Sequence, residues 1–200
     1  METAEPRRAF KPGEVVAILV PAAIALAAAV IEPARGPDPT LHRIINTIWL
    51  ATILLIPALC LYAMPDTPGR RRFALLFYTA AYAAYLAHFY YAVFIHFGGI
   101  HGTFLGMRKP IATTNFVLTG WWTVDLLIAW LAPLGMKLVR VERFLAMTFL
   151  YLVFVVTELF LRPTGIKYLG LAMAVLVPLC LFARLRAHST VGARAAGTPV

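Results

Sequence analysis

The chain has 200 residues, 61% of them hydrophobic and 14% charged, with a mean hydropathy of +0.79. A soluble domain carries about 45–50% apolar and about 25% charged residues, so an ordinary soluble globule, a disordered tail and a disulfide-stapled secreted domain are excluded. The net charge of +9 comes in short clusters between apolar runs. That pattern belongs to membrane orientation and not to a nucleic-acid-binding face. What remains is a polytopic protein whose surroundings are the lipid bilayer.

A spanning helix needs about 20 mainly apolar residues to cross a hydrocarbon core about 30 Å thick. Six stretches qualify in chain order: Val15–Ile31, Ile44–Met64, Phe73–Phe97, Phe116–Leu134, Phe144–Leu161 and Ile166–Leu185. Between them lie Glu32-Pro33 through Pro39, Pro65-Asp66-Thr67-Pro68-Gly69, Gly98-Gly99, Pro133 with Gly135, and Pro163-Thr164-Gly165. Proline lacks an N–H and glycine tolerates most backbone angles, so these segments end helices. No strand-like alternation competes, and lipid admits only helices or closed barrels. The expected fold is all-α: a six-helix transmembrane bundle over residues 15–185, after an N-terminal segment 1–14. The polar tail 186–200 is expected to fray.

Basic residues set the orientation. With the N-terminus inside, twelve lie in inner segments: Arg7, Arg8, Lys11, Arg70, Arg71, Arg72, Lys137, Arg140, Arg143, Arg184, Arg186 and Arg194. Six lie in outer loops: Arg35, Arg43, Arg108, Lys109, Arg162 and Lys167. The bias puts both termini in the cytoplasm of a multi-pass inner-membrane protein. Lys11, the short first run and Ala27-Ala28-Ala29 also fit a cleaved signal peptide, which would leave five spans; a retained first span is the expectation. Cys60 and Cys180, 120 residues apart near the inner ends of their spans, read as packing residues and not as a disulfide.

Ionisable groups inside lipid are costly, so each one is a functional hypothesis. Span three carries His88 and, at its outer end, His96, with His101 in the loop beyond. Span four carries Asp125, span five Glu158, and span two Asn46 just after His42. Counting from span ends puts His88 and Glu158 in the outer half. Asp125, nine residues into its span or roughly 14 Å deep, joins them, and the inner half holds Thr148 and little else. Plainer explanations exist: interfacial histidines are solvated, and Glu158 has Arg162 four residues on. Tyr78, Tyr82, Tyr85 and Phe89 form an aromatic stripe, while His88 shares another face with Ala81, Ala84 and Ala92, where a helix or a flat cofactor can approach closely.

Standard catalytic sites find few candidates. The only serine is Ser189, both cysteines lie at the wrong depth for His88, and no phosphate-binding glycine loop or HExxH zinc motif occurs. Heme needs axial ligands, for which His88 and His101, 13 residues apart, are the candidates. Spans four to six contain no histidine, so a second ligand from a later span would have to come from elsewhere, for example a second copy of the chain.

Arg70-Arg71-Arg72 before Phe73-Ala74-Leu75, the Tyr/Ala-rich helix leading to His88, Arg108-Lys109-Pro110-Ile111, and Met136-Lys137-Leu138-Val139-Arg140 form a recognisable layout. Over about residues 41–185 it resembles the ferric-reductase-like transmembrane family, in particular the six-helix heme-binding membrane subunit of periplasmic methionine-sulfoxide reductase systems. That resemblance implies heme b ligated by His88 and electron transfer with a redox partner protein. The family's span-five histidines are replaced here by Glu142 and Thr157-Glu158, and no flavin or nicotinamide domain is attached.

Three functions follow as expectations: a heme-b electron-transfer subunit, a proton- or ion-coupled small-solute transporter relaying through Asp125, His88 and Glu158, or a non-catalytic subunit or assembly factor. Any of them is compatible with a homo-oligomer, and none involves nucleic acid.

Overall fold

A computed structural model describes residues 10–31, 38–65, 67–132, 136–161 and 165–196. The fold is all-α, with seven α-helices among the described residues: α1 (Pro12–Ile31), α2 (Pro39–Ala63), α3 (Pro68–Tyr90), α4 (Ile100–Gly106), α5 (Lys109–Leu131), α6 (Lys137–Val156) and α7 (Lys167–Ala196). Two of them do not stop at their last α turn. The backbone of α3 continues as π-helix through Tyr91–His96, and that of α6 through Thr157–Leu161.

Most helices begin well before their apolar runs. Proline occupies the first turn of α2, α3 and α5, where its missing N–H costs nothing. Asp38 caps α2 by accepting from the N–H groups of Thr40 and Leu41, both at 3.0 Å. Thr67 caps α3 through the Arg70 N–H at 3.3 Å. Hydropathy marks what lipid covers, whereas caps mark where helical hydrogen bonding starts. Basic first turns such as Arg70 to Arg72 therefore lie inside a helix but outside an apolar run.

Four helical stretches are long and apolar enough to cross a membrane: Pro12–Ile31, Pro39–Ala63, Lys137–Phe160 and Lys167–Ala187. At 23 residues each, α3 and α5 have the length, but their polar content lowers their hydropathy. The first carries three arginines, four tyrosines and His88; the second carries Asn115, Asp125 and a threonine ladder.

Helix α2 is central, packing against α1, α3, α6 and α7. Ala51 and Ala58 on α2 and Ala81 and Ala84 on α3 are buried, and such small residues let helix backbones approach closely. The aromatic stripe of α3 faces α5. Rings of Tyr78, Tyr82 and Tyr85 lie 5.1–5.5 Å from Trp122, and Phe89 meets Phe116 edge-on at 5.4 Å. The Tyr85 hydroxyl bonds Thr119 Oγ1 at 3.0 Å, and Tyr82 bonds Thr123 one turn further in. Ile24, Leu127, Leu152 and Leu171 are each at least half exposed, an outer surface compatible with contact with lipid.

Three local features bear on the sequence reading. The backbone of α7 is helical through Ala196, in a stretch whose alanines and arginines are good helix formers. Cys60 and Cys180, far apart in sequence, are both free thiols, as the sequence reading expects. The chain breaks after Phe97, where Gly98 and Gly99 take φ of 70° and 113°, angles that glycine adopts without Cβ strain. His101 therefore sits on the separate helix α4 and does not extend the His88 face.

Candidate functional site: a cavity around His88 and Glu158

A cavity of about 770 Å³ opens between the start of α2, the end of α3, α4, the start of α5 and the end of α6. Its polar wall includes His88, His96, Thr103, Asn115, Thr157 and Glu158; Tyr85, Phe89 and Phe154 supply aromatic surface. His88 lies 20 residues after the start of α3 and Glu158 21 residues after the start of α6, roughly 30 Å along each helix. The two residues thus reach the same cavity, far along their helices from the basic first turns.

The His88 ring is fixed from α2. Its Nδ1 lies 2.9 Å from the Ile44 carbonyl. A carbonyl only accepts, so Nδ1 carries the proton and Nε2 is the nitrogen where a second proton is gained or lost. At 9% exposure His88 is the one buried histidine among the described side chains; His42, His96 and His101 are exposed.

Glu158 is 1% exposed and stands in the π-helical end of α6. Its Oε1 meets the hydroxyl of Thr52, which also lies 2.9 Å from the Ile48 carbonyl. One hydroxyl hydrogen serves two acceptors here, and the arrangement has two consistent states. With Glu158 ionised, Thr52 donates to the carboxylate. With Glu158 protonated, the acid donates to Thr52 and Thr52 turns to Ile48. The expected partner Arg162 lies outside the described residues.

Both π-helical segments border this cavity: Ala92, Val93 and His96 come from one, Thr157 and Glu158 from the other. A π turn inserts a residue and rotates the side chains after it, at the cost of weaker backbone geometry, and it recurs at functional sites. Helix α7 approaches closely at Gly170, where a Cβ would come 2.9 Å from Glu158 Cβ.

Asp125 does not belong to this site. Helix α5 begins at Lys109, seven residues before its apolar run, so Asp125 is 16 residues in, roughly 24 Å from the start of the helix. It is fully buried toward the end of the bundle that holds the start of α6, with Arg143 Nη1 3.4 Å from its Oδ1. Arg143 also lies over the rings of Tyr62 and Tyr78, at 5.8 and 5.7 Å, and Glu142 accepts from Trp121 Nε1 at 3.1 Å. That end of the bundle thus holds a buried charge cluster that sequence reasoning misses. A mid-span carboxylate demands a cation, and that demand is the signal by which Arg143 could be found.

Among the described residues no three His, Cys, Asp or Glu side chains gather as a metal cluster would require. Met147 lines a different cavity. The chain matches no family model, no curated protein and no solved structure.

Proposed function

We propose that the protein is a six-span membrane protein with both termini in the cytoplasm, and that its outer cavity is a proton-linked binding site for a small solute undergoing transport. The observation that carries this reading is the convergence of His88 and Glu158 on one cavity within an otherwise apolar bundle. Ionisable groups at such depth survive only with partners or water. Here each has a single proton position that can change without rearranging the helices, Nε2 on His88 and the carboxyl of Glu158. Protonation of Glu158 reverses its bond with Thr52, so proton occupancy and the polarity offered to a solute are coupled. The aromatic walls suit a solute with an apolar body and a few polar groups. Asp125 is left out of the relay, since its pairing with Arg143 serves the fold of the inner half.

The test is charge movement on a solid-supported membrane carrying reconstituted protein. Concentration jumps of amino acids, organic cations, organic anions and sugars are applied with and without a proton gradient. One class is expected to give a transient current that grows with the inward gradient. That current disappears in Glu158→Gln and persists in Asp125→Asn. A current indifferent to Glu158→Gln, or none with any class from folded protein, contradicts the reading.

A second reading keeps the ferric-reductase-like resemblance. The bond from His88 Nδ1 to Ile44 is the kind that fixes iron-ligating histidines through their other nitrogen. His88 is suited to be one axial ligand of heme b, with Tyr85, Phe89 and Phe154 lining the cavity that would take the ring. When bound, such a heme supplies one-electron transfer. An oxidised-minus-reduced visible spectrum of detergent-purified protein decides it: a Soret band lost in His88→Ala supports heme, and a colourless protein from heme-sufficient cells removes it.

A further inference from the structure

We propose that a second cavity, at the basic end of the bundle, binds the headgroup of an anionic phospholipid, with Arg140, Arg143 and Arg184 in its polar wall. This rests on the membrane reading above. The cavity measures about 630 Å³ and lies between the end of α2, the start of α3, the first turns of α6 and the later part of α7. Four guanidinium groups, with Arg71 the fourth, enter it from three helices, and no Asp or Glu is among its described lining residues. Arg143 is answered from deeper in the bundle by Asp125. Arg140 and Arg184 have no ion-pair partner among the described residues, so the wall carries excess positive charge. Guanidinium forks match phosphate oxygens in paired hydrogen bonds, and basic pockets between membrane helices on this side take anionic headgroups.

The rest of the wall is apolar, from Leu59, Leu75 and Met147 inside to Phe144 and Leu181 at the mouth. Phe144 is 60% exposed and Leu181 46%. The surface thus runs from a charged pocket onto the apolar belt of the bundle. A molecule with one anionic end and long apolar chains satisfies both parts. Free phosphate satisfies only the first.

Full-length protein purified in neutral detergent is titrated with phosphatidylglycerol, phosphatidylcholine and inorganic phosphate, reading lipid retention by native mass spectrometry and Tm by thermal unfolding. Phosphatidylglycerol is expected to be retained and to raise Tm, and phosphatidylcholine is not. Arg140→Gln with Arg184→Gln weakens retention about thirtyfold, at the usual contribution per basic residue near anionic lipid. Lysine at both positions keeps most of it, and Arg108→Gln with Lys109→Gln changes nothing. Arg184→Gln alone, expected to lose about fivefold, decides the matter if the double variant does not fold. Equal retention of both lipids, retention unchanged in the glutamine variants, or the same Tm rise with inorganic phosphate alone overturns the proposal. A chain that leaves cell membranes without detergent refutes the membrane reading itself, before any lipid is added.

Discussion

At the scale of the residue, the chain separates two kinds of buried charge. Glu158 meets a hydroxyl whose hydrogen has two destinations, so its proton can come and go with a rotation about a side-chain bond. Asp125 is held by a cation that is itself boxed between two tyrosine rings. Removing the Asp125 charge leaves a guanidinium in a site 9% exposed, so Asp125→Asn is expected to destabilise the fold by about 3 kcal/mol. Thermal unfolding in detergent checks this, and Arg143→Gln on top of it should recover part of the loss. Glu158→Gln keeps a hydrogen-bonding partner for Thr52 and is expected to leave Tm within about 1 kcal/mol equivalent of wild type while abolishing the proton-linked current. His88 and Glu158 are legible at their shared depth because each sits a countable distance from a proline- or glycine-rich joint. Asp125 is misplaced when its depth is counted from the apolar run at Phe116, since the helix starts at Lys109 and Pro110. Thr52 is illegible: nothing in a threonine within an apolar run says which distant carboxyl it meets.

At the scale of the element, the two π-helical ends decide where the site forms. Each rotates the last turn of a long helix; the first precedes the break at Gly98-Gly99, and the sequence after the second carries Pro163-Thr164-Gly165. The breaks are readable in the sequence and the π turns are not, since residue type does not encode the added residue per turn. Gly170 lets α7 lie against the second π segment. Gly170→Val is expected to cost about 1–3 kcal/mol through overpacking against Glu158 and Leu159. Gly120, in mid-α5, has open space where a Cβ would stand, with nothing within 4 Å; Gly120→Ala should stabilise by about 0.5–1 kcal/mol. Paired melting curves test both signs at once, and a neutral Gly170→Val would mean that α7 is not seated as described.

At the scale of the whole molecule, the bundle joins a polar cavity at one end to a buried charge cluster and a basic rim at the other. Composition and the spacing of breakers are enough for the all-α bundle, because lipid leaves a helical chain few alternatives. They are not enough for the central place of α2, which depends on small residues matching across interfaces. The bidentate ion pair of Arg72 with Glu14, at 2.8 and 2.9 Å, ties the start of α1 to the start of α3. It holds the start of the first helix beside the start of the third. Reporter fusions at both ends are expected to read cytoplasmic, and a periplasmic N-terminal reporter would contradict the six-span topology.

The central claim is that the His88–Glu158 cavity is wet and faces the external medium. The measurement that tests it most directly is thiol labelling in intact cells, on a background of Cys60→Ala and Cys180→Ala. Thr114→Cys and Thr157→Cys, both on the cavity wall, are treated with a charged, membrane-impermeant methanethiosulfonate reagent added outside. Thr148→Cys, which lines the inner cavity, serves as the control. Labelling of the first two and not the third from outside is the predicted result. If Thr114→Cys and Thr157→Cys react only after the membrane is dissolved, or only from the cytoplasmic side, the cavity does not open to the external medium and the claim is contradicted.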